Sequence, residues 1–340
     1  MMMSAARHRA QSAALETTVP IVQAGLLAPS FSFARSNGAN IESMRKQAKL
    51  PDDVLCKPAN FVPASSWFQL FRSVEKLSGA CDVGWRIATE YPLKAYNRSF
   101  IDIIGNAPSL LEALRRLAIS QSNHSNCQIF SIRVIGDWGY IFHRDTHRSP
   151  GYEQRNAMRC ASFILFVRSY LGDDWKPDLL TTDTLLEVFP DCDMLDGVRI
   201  VRRRDFNMLR VPRADLGATS LKKIEGGYGS DEGLATGNRA QIQQLLRSYI
   251  GGDVPDLDRL AEMMRCSTRT MQRHLQQLQT SYSQLLHDAT YDVATQLLRD
   301  NKRTITDVAH ELGYKDASHF SRFFRGASGL TPREYRAGRV

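Results

Sequence analysis

The sequence predicts an α+β N-terminal domain followed by an all-α C-terminal domain in which a long helix joins two helix-turn-helix units. Three observations lead there. Over roughly the first 220 residues the hydrophobic period is sometimes 3.6 and sometimes 2; beyond Ala240 only helical periods remain; and the C-terminal segment contains an internal duplication.

A length of 340 residues suits two domains, and 43% hydrophobic against 24% charged residues is enough apolar side chain for sizeable cores. Global disorder and a fibrous repeat are excluded. No run reaches the ~18 apolar residues of a membrane-spanning helix; Val19–Ala28 is interrupted by Gln23, and Ala161–Val167 is short. The first could pass for a signal-peptide core, but Glu16 precedes it and Arg7 and Arg9 lie far upstream. The cysteines Cys56, Cys81, Cys127, Cys160, Cys192 and Cys266 are scattered without a CxxC pair and read as reduced thiols. A cytoplasmic protein with no membrane partner is the expectation.

Taken in order, residues 1–40 are rich in Ala, Ser and Gln without a sustained period and read as a loosely ordered lead-in. Residues 41–216 read as the α+β domain. Trp67, Leu70, Phe71, Val74 and Leu77 recur at helical spacing, with Ser65 and Ser66 as candidate caps and Gly79 beyond the end. A second helix follows Pro108, with Leu110, Leu111, Leu114, Leu117 and Ala118 on one stripe and Arg115 and Arg116 opposite. The period then becomes two: Phe130, Ile132 and Val134 lead into the turn residues Gly136-Asp137-Trp138-Gly139, and Tyr140 and Phe142 continue the apolar face of a hairpin. A third helix spans about Glu153 to Leu171, ending at Gly172, and β-like stretches follow at Leu185–Val188 and Asn207–Val211. Residues 217–238, which include Gly226-Gly227-Tyr228-Gly229-Ser230, have linker composition.

Residues 239–340 form the last domain. Leu260-Ala261-Glu262-Met263-Met264 is echoed 48 residues later by Val308-Ala309-His310-Glu311-Leu312. In the first copy Leu257, Leu260, Ala261 and Met264 point inward, Ser267 caps the next helix, and Met271, Leu275 and Leu278 form its inner stripe. Arg269, Gln272, Arg273 and Gln276 form the outer face. In the second, Ile305, Val308, Ala309 and Leu312 pack inward, Gly313 ends the helix, and Asp316 caps a helix with Phe320 and Phe324 inside and Ser318, His319, Arg322 and Arg325 outside. Tyr282 to Arg299 reads as the joining helix. A helix fits the major groove of B-DNA, where Arg pairs with guanine and Gln with adenine through two hydrogen bonds each. Charge agrees: residues 238–340 carry 15 Lys and Arg against 11 Asp and Glu, whereas residues 51–237 carry 23 against 23.

The segment 260–336 resembles the DNA-binding domain of the AraC/XylS family of bacterial transcription regulators. Its most specific stretches are Ile305–Tyr314, Asp316, His319–Arg325 and Gly329–Arg336. Residues of about 40–215 are similar to an N-terminal partner domain of that family, distinct from the cupin-like arm, through the Trp67–Leu77 helix, Asn106–Leu114, the hairpin and Leu171–Pro177. The resemblance places base-reading side chains at Arg269, Gln272 and Arg273 in the first unit and at Ala317, Ser318 and Arg322 in the second. It implies double-stranded DNA and RNA polymerase as partners, an activator rather than a repressor, and an N-terminal domain that senses a small effector or forms a homodimer. One departure stands out: Arg265-Cys266 occupies the first turn, where the family has glycine and an apolar residue. That puts the turn geometry in question, with Arg265 a candidate for phosphate contact.

No catalytic residue, metal or cofactor is expected. His143 and His147, with Asp145 between, read as a polar loop after a strand; Cys266 reads as a small apolar filler; and Gly226–Gly229 lacks the lysine of a phosphate loop. Trp67, Phe71, Phe130, Ile132, Tyr140 and Phe142 either line an effector pocket or are core. Two further readings stay open: an alkyl-transfer DNA-repair enzyme carrying the same helical module, against which the isolated cysteines argue, and a constitutive DNA-binding dimer without an effector.

Overall fold

The computed structural model describes residues 19–91, 106–203, 206–221 and 233–338. Part of the expected lead-in is core instead: Val19, Ile21, Val22, Leu26, Leu27, Phe31 and Phe33 are all buried. Strand β1 (Ile21–Gln23) pairs antiparallel with β2 (Phe61–Pro63), and α1 (Ala28–Ser36) and α2 (Ile41–Gln47) follow it. Composition could not reveal this, because the partner of β1 is some 40 residues away. Residues 1–18 lie outside the described set.

Helix α3 (Ala64–Ser78) starts directly from β2, so Pro63 stands at its N-cap and Ser65 and Ser66 fall inside it rather than capping it. Trp67, Leu70, Phe71 and Val74 are buried as the spacing required, but Leu77, in the last turn, is 47% exposed. Helix α4 (Val83–Glu90) has no counterpart in the sequence reading. Helix α5 (Leu110–His124) is capped by Ser109, whose hydroxyl accepts from the Glu112 N–H. Helix α6 (Tyr152–Leu171) runs through the middle of this unit, with 16 of its 20 residues buried.

The hairpin consists of β3 (Gln128–Ile135) and β4 (Trp138–Asp145), with Gly136 and Asp137 alone in the turn. Trp138 and Gly139, expected in the turn, belong to β4. The sheet continues with β5 (Leu179–Thr182), β6 (Arg199–Arg202) and β7 (Asn207–Pro212) in the spatial order β3-β4-β7-β5-β6. All neighbours are antiparallel except β5 and β6. The β-like stretch at Leu185–Val188 is a 3₁₀ turn over Leu186–Val188, while β5 and β6, four residues each, went unpredicted.

The last crossing of the chain from one compact unit to the other lies between Leu234 and Ala235. The glycine-rich run 226–230 lies outside the described residues. From Ala235 on, the regular elements among the described residues are all helices: α7 (Asn238–Arg247), α8 (Leu257–Met263), α9 (Thr268–Gln277), α10 (Tyr282–Leu298), α11 (Ile305–Glu311), α12 (Ala317–Ser328) and α13 (Pro332–Ala337). Helix α7 lies along α10, joined by Arg239–Asp288 at 3.1 Å, Gln243–Asp292 at 2.8 Å and Arg247–Gln296 at 3.4 Å. Ala294, Leu298, Val308, Ala309, Leu312, Phe320 and Phe324 form the core around the second copy.

Candidate nucleic-acid interface

Each copy of the duplication folds as helix, tight turn, helix. In the first, Asp256 caps α8 by accepting from the Arg259 N–H, and Ser267 caps α9 by accepting from the Thr270 N–H. Such a cap satisfies donors that the first helical turn leaves without a partner. Met271 and Leu275 bury the inner stripe of α9 against Leu260, Ala261 and Met263; Met264, expected inside, is only half-buried, and Met263 takes the inner place. The second copy repeats the design. Thr304 and Asp307 form a capping box at α11, Asp316 caps α12 by accepting from the Ser318 and His319 N–H groups, and Phe320 and Phe324 are fully buried.

The two turns have matching hydrogen bonds. In the first, the N–H groups of Met264, Arg265 and Cys266 donate to Leu260, Glu262 and Ala261, each at 3.0 Å; in the second, Leu312, Gly313 and Tyr314 donate to Val308, His310 and Ala309 at 3.1, 2.9 and 2.9 Å. Arg265 takes φ 55° where Gly313 takes φ 83°. The question the missing glycine raised is thus resolved: the arginine adopts the left-handed conformation and the turn is kept. Cys266 is half-buried, and burial pushes its thiol pKa up, away from reactive thiolate.

Arg269, Gln272, Arg273 and Gln276 are exposed on one face of α9 and, with Thr270, line one open hollow. Thr270 was absent from the sequence reading; its place one turn before Arg273 was the available signal. On α12, Ser318, His319, Arg322 and Arg325 are exposed, whereas Ala317 is half-buried against the second core. Several acidic groups in this unit pair with arginines outside these two faces. Asp253 pairs with Arg259, Asp288 with Arg239, and Asp300 and Glu311 with Arg303. Bonds from the His319 and Ser318 N–H groups hold the Asp316 carboxyl below its usual range, and bonds from Thr331 do the same for Glu334 at the start of α13. Among the described residues, Arg265, Arg269, Arg273, Arg322 and Arg325 take part in no ion pair. The 17 residues of α10, spanning ~25 Å, connect the two units.

The six aromatic and apolar candidates of the N-terminal unit do not converge on a pocket. Trp67 is buried with the Arg155 guanidinium 4.7 Å from its ring, and Phe71 packs on Trp67 at 6.3 Å. Phe130 and Ile132 lie opposite His143 and Ile141 on the face that meets α6, where Phe130 and Phe163 are 5.0 Å apart. Tyr140 and Phe142 are on the other face, stacked on each other at 6.1 Å. His143 is not in a loop either: it is a buried β4 residue, with Asp145 two residues on making a two-pronged ion pair with the buried Arg155. A small hollow of about 160 Å³ does exist elsewhere in this unit, between Ala28, Phe31, Leu55 and Pro58, with Arg35 at its rim. No helix among the described residues is long and apolar enough to cross a membrane.

Two family models match the chain: "Helix-turn-helix domain" over residues 260–338, and "Arabinose-binding domain of AraC transcription regulator, N-term" over residues 38–183. The ornithine utilization regulator of Pseudomonas aeruginosa is 37% identical over 105 residues, covering 31% of this chain and 30% of that protein. The HTH-type transcriptional activator RhaS of Escherichia coli is 35% identical over 106 residues, covering 30% of this chain and 38% of that protein. The chain therefore matches about a third of the length of these relatives. Among solved structures, a DNA-binding transcriptional dual regulator from Escherichia coli K-12 is 31% identical over 29% of this chain and 94% of its own, with a TM-score of 0.28. The transcriptional regulator CdpR from Pseudomonas aeruginosa is 20% identical over 77% of this chain and 91% of its own, with a TM-score of 0.33. With both domain models in chain order and the helix-turn-helix geometry present twice, the chain belongs to the AraC family of transcription regulators.

Proposed function

We propose that the chain is a sequence-specific DNA-binding transcription activator of the cytoplasm, without enzymatic activity, that reads two successive major-groove segments with α9 and α12. The observation that carries this reading is the pair of equivalent turns, each followed by a helix whose outer face exposes arginines that take part in no ion pair among the described residues. Arg269, Gln272, Arg273 and Gln276 read bases from the first unit, and Ser318, His319, Arg322 and Arg325 from the second, with Ala317 limited to a marginal apolar contact. RNA polymerase is the protein partner, and a small effector acts on the N-terminal unit. The hollow beside Arg35 suits a short carboxylate, with apolar walls and one guanidinium for the charge. Thermal-shift measurements on the full chain test this, since a ligand of the folded state raises its stability; short carboxylates should shift the wild type and leave Arg35→Ala unmoved.

Footprinting of the full chain on the DNA upstream of its own gene tests the main reading. Protection of about two helical turns is expected. Arg273→Ala should weaken binding at one base position by ~1–3 kcal/mol and relax the preference there. Uniform weak binding, equally strong in Arg273→Ala, would sink it.

A further inference from the structure

The first turn of α9 holds two threonines, and the bonds around them separate their roles. Thr268 is half-buried, and its hydroxyl donates to the Asp258 carboxylate of α8 at 2.6 Å, tying the two helices of the unit together. Thr270 is exposed and lines the same hollow as Arg269, Gln272, Arg273 and Gln276. Its hydroxyl is held at the cap: the Thr270 and Ser267 hydroxyl oxygens are 2.9 Å apart, and the Ser267 oxygen also accepts from the Thr270 N–H at 3.1 Å. Oxygen and methyl are staggered about one bond, so fixing the first fixes the second. With the oxygen drawn back to the cap, the methyl is the free end of the side chain. Thr270 also stands three residues before Arg273, on the same side of the helix and ~4.5 Å along its axis. That distance is close to one base-pair step of ~3.4 Å.

We infer that Thr270 reads the methyl group of a thymine, by apolar contact and not by hydrogen bond, about one base pair from the base that Arg273 reads. This rests on the proposal that α9 enters the major groove, where thymine alone among the four bases carries a methyl group. The other side chains of the hollow end in guanidinium or amide groups, which suit the edges of guanine and adenine. Thr270 adds the apolar contact that they lack. The second unit has no equivalent, because 49 residues on, at the offset that relates Arg273 to Arg322, stands His319 with its imidazole 3.8 Å from Asp316. A methyl dependence carried by this position therefore belongs to the half of the site that α9 occupies.

The measurement is the affinity of the full chain for duplexes carrying its footprint, with each thymine replaced in turn by deoxyuridine, which removes the methyl and keeps the pairing edge. The wild type should lose about fourfold at one thymine within about two base pairs of the position relaxed in Arg273→Ala, the worth of one buried methyl group. Thr270→Val, which has methyl groups and no hydroxyl, should show the same loss. Thr270→Ser, which has the hydroxyl and no methyl, should bind the thymine and deoxyuridine duplexes equally, with circular dichroism confirming that both variants are folded. A site without such a thymine, or a loss that survives in Thr270→Ser or vanishes in Thr270→Val, overturns the assignment and leaves base reading by α9 standing. No relaxed position in Arg273→Ala overturns both.

Discussion

Arg265 and Gly313 occupy the same place in two copies of one turn, which makes the cost of a side chain there measurable. A non-glycine residue in the left-handed region is strained by about 1 kcal/mol or more, and Arg265 sits at φ 55° with no compensating ion pair among the described residues. Arg265→Gly should therefore stabilise the second unit by about 1 kcal/mol in denaturant unfolding; an unchanged or lower midpoint would mean the turn is relaxed with arginine. The same variant should lower DNA affinity if the guanidinium touches phosphate, a loss that stabilisation alone does not produce. Gly251 poses the opposite case. At φ 87° it lies so close to the end of α11 that a Cβ would fall 1.9 Å from the Glu311 carbonyl oxygen. Gly251→Ala should cost about 2 kcal/mol or more, because backbone must move to admit the methyl group. The sequence marked Arg265 as a departure but not Gly251, since a close approach to a segment 60 residues away leaves no local pattern.

Parity in the hairpin explains why Phe130 and Ile132 lie on one face of the sheet and Tyr140 and Phe142 on the other. Phe130, Ile132, Tyr140 and Phe142 share even numbers, and alternation within one strand puts equal parity on one face. Across a two-residue turn, however, Ile135 pairs with Trp138, so even positions of β3 share a face with odd positions of β4. The inner face of β4 is thus Ile141, His143 and Asp145, not Tyr140 and Phe142. Helix α6 was legible as a helix but not as a central one, because its buried positions include Gln154, Arg155, Asn156 and Arg159, which composition assigns to a surface. These polar groups matter energetically. Asp145→Ala removes the carboxylate from the buried Arg155 and should destabilise the N-terminal unit by about 3–5 kcal/mol; a loss below about 1 kcal/mol would show water reaching the guanidinium. Burial first, then the charges of Arg159 and Arg155, hold the His143 pKa well below its ordinary value, with Asp145 3.8 Å away but already paired to Arg155. The folded state keeps this imidazole neutral while the unfolded chain protonates it near pH 6.5. Its contribution is present above that pH and is lost as pH falls below it. His124 and His147, also lowered by burial, act in the same direction. Stability should fall from pH 7 to pH 5, and His143→Leu should reduce the slope by about one proton's worth; an unchanged slope would assign the effect to the other two histidines.

At the scale of the whole molecule, the duplication made the C-terminal unit the most legible part: capping residues, inner stripes and outer faces repeat within a few turns of chain, so local periodicity carries nearly all of it. The N-terminal sheet depends on pairings such as β5 with β6 and β4 with β7, which bring together residues far apart in sequence and write no period. Two units built alike need not read DNA equally. In the first, Arg269, Gln272, Arg273 and Gln276 are all exposed and all able to form paired hydrogen bonds with a base. In the second, Ala317 is half-buried, Ser318 offers one hydroxyl, and His319 lies 3.8 Å from Asp316, leaving Arg322 and Arg325 as the only side chains of that kind. Each such pair discriminates by ~1–3 kcal/mol against a wrong base, so specificity should be unevenly spread along the site. Single-base substitutions scanned across the footprint should lose the most affinity in the half that α9 occupies, with the halves assigned by which one is relaxed in Arg273→Ala and which in Arg322→Ala. Salt should weaken both halves together, because phosphate contact carries no sequence. Equal losses in the two halves would mean that Ser318 and His319 read bases as sharply as Gln272 and Gln276, and that the inequality of the two faces has no counterpart in recognition.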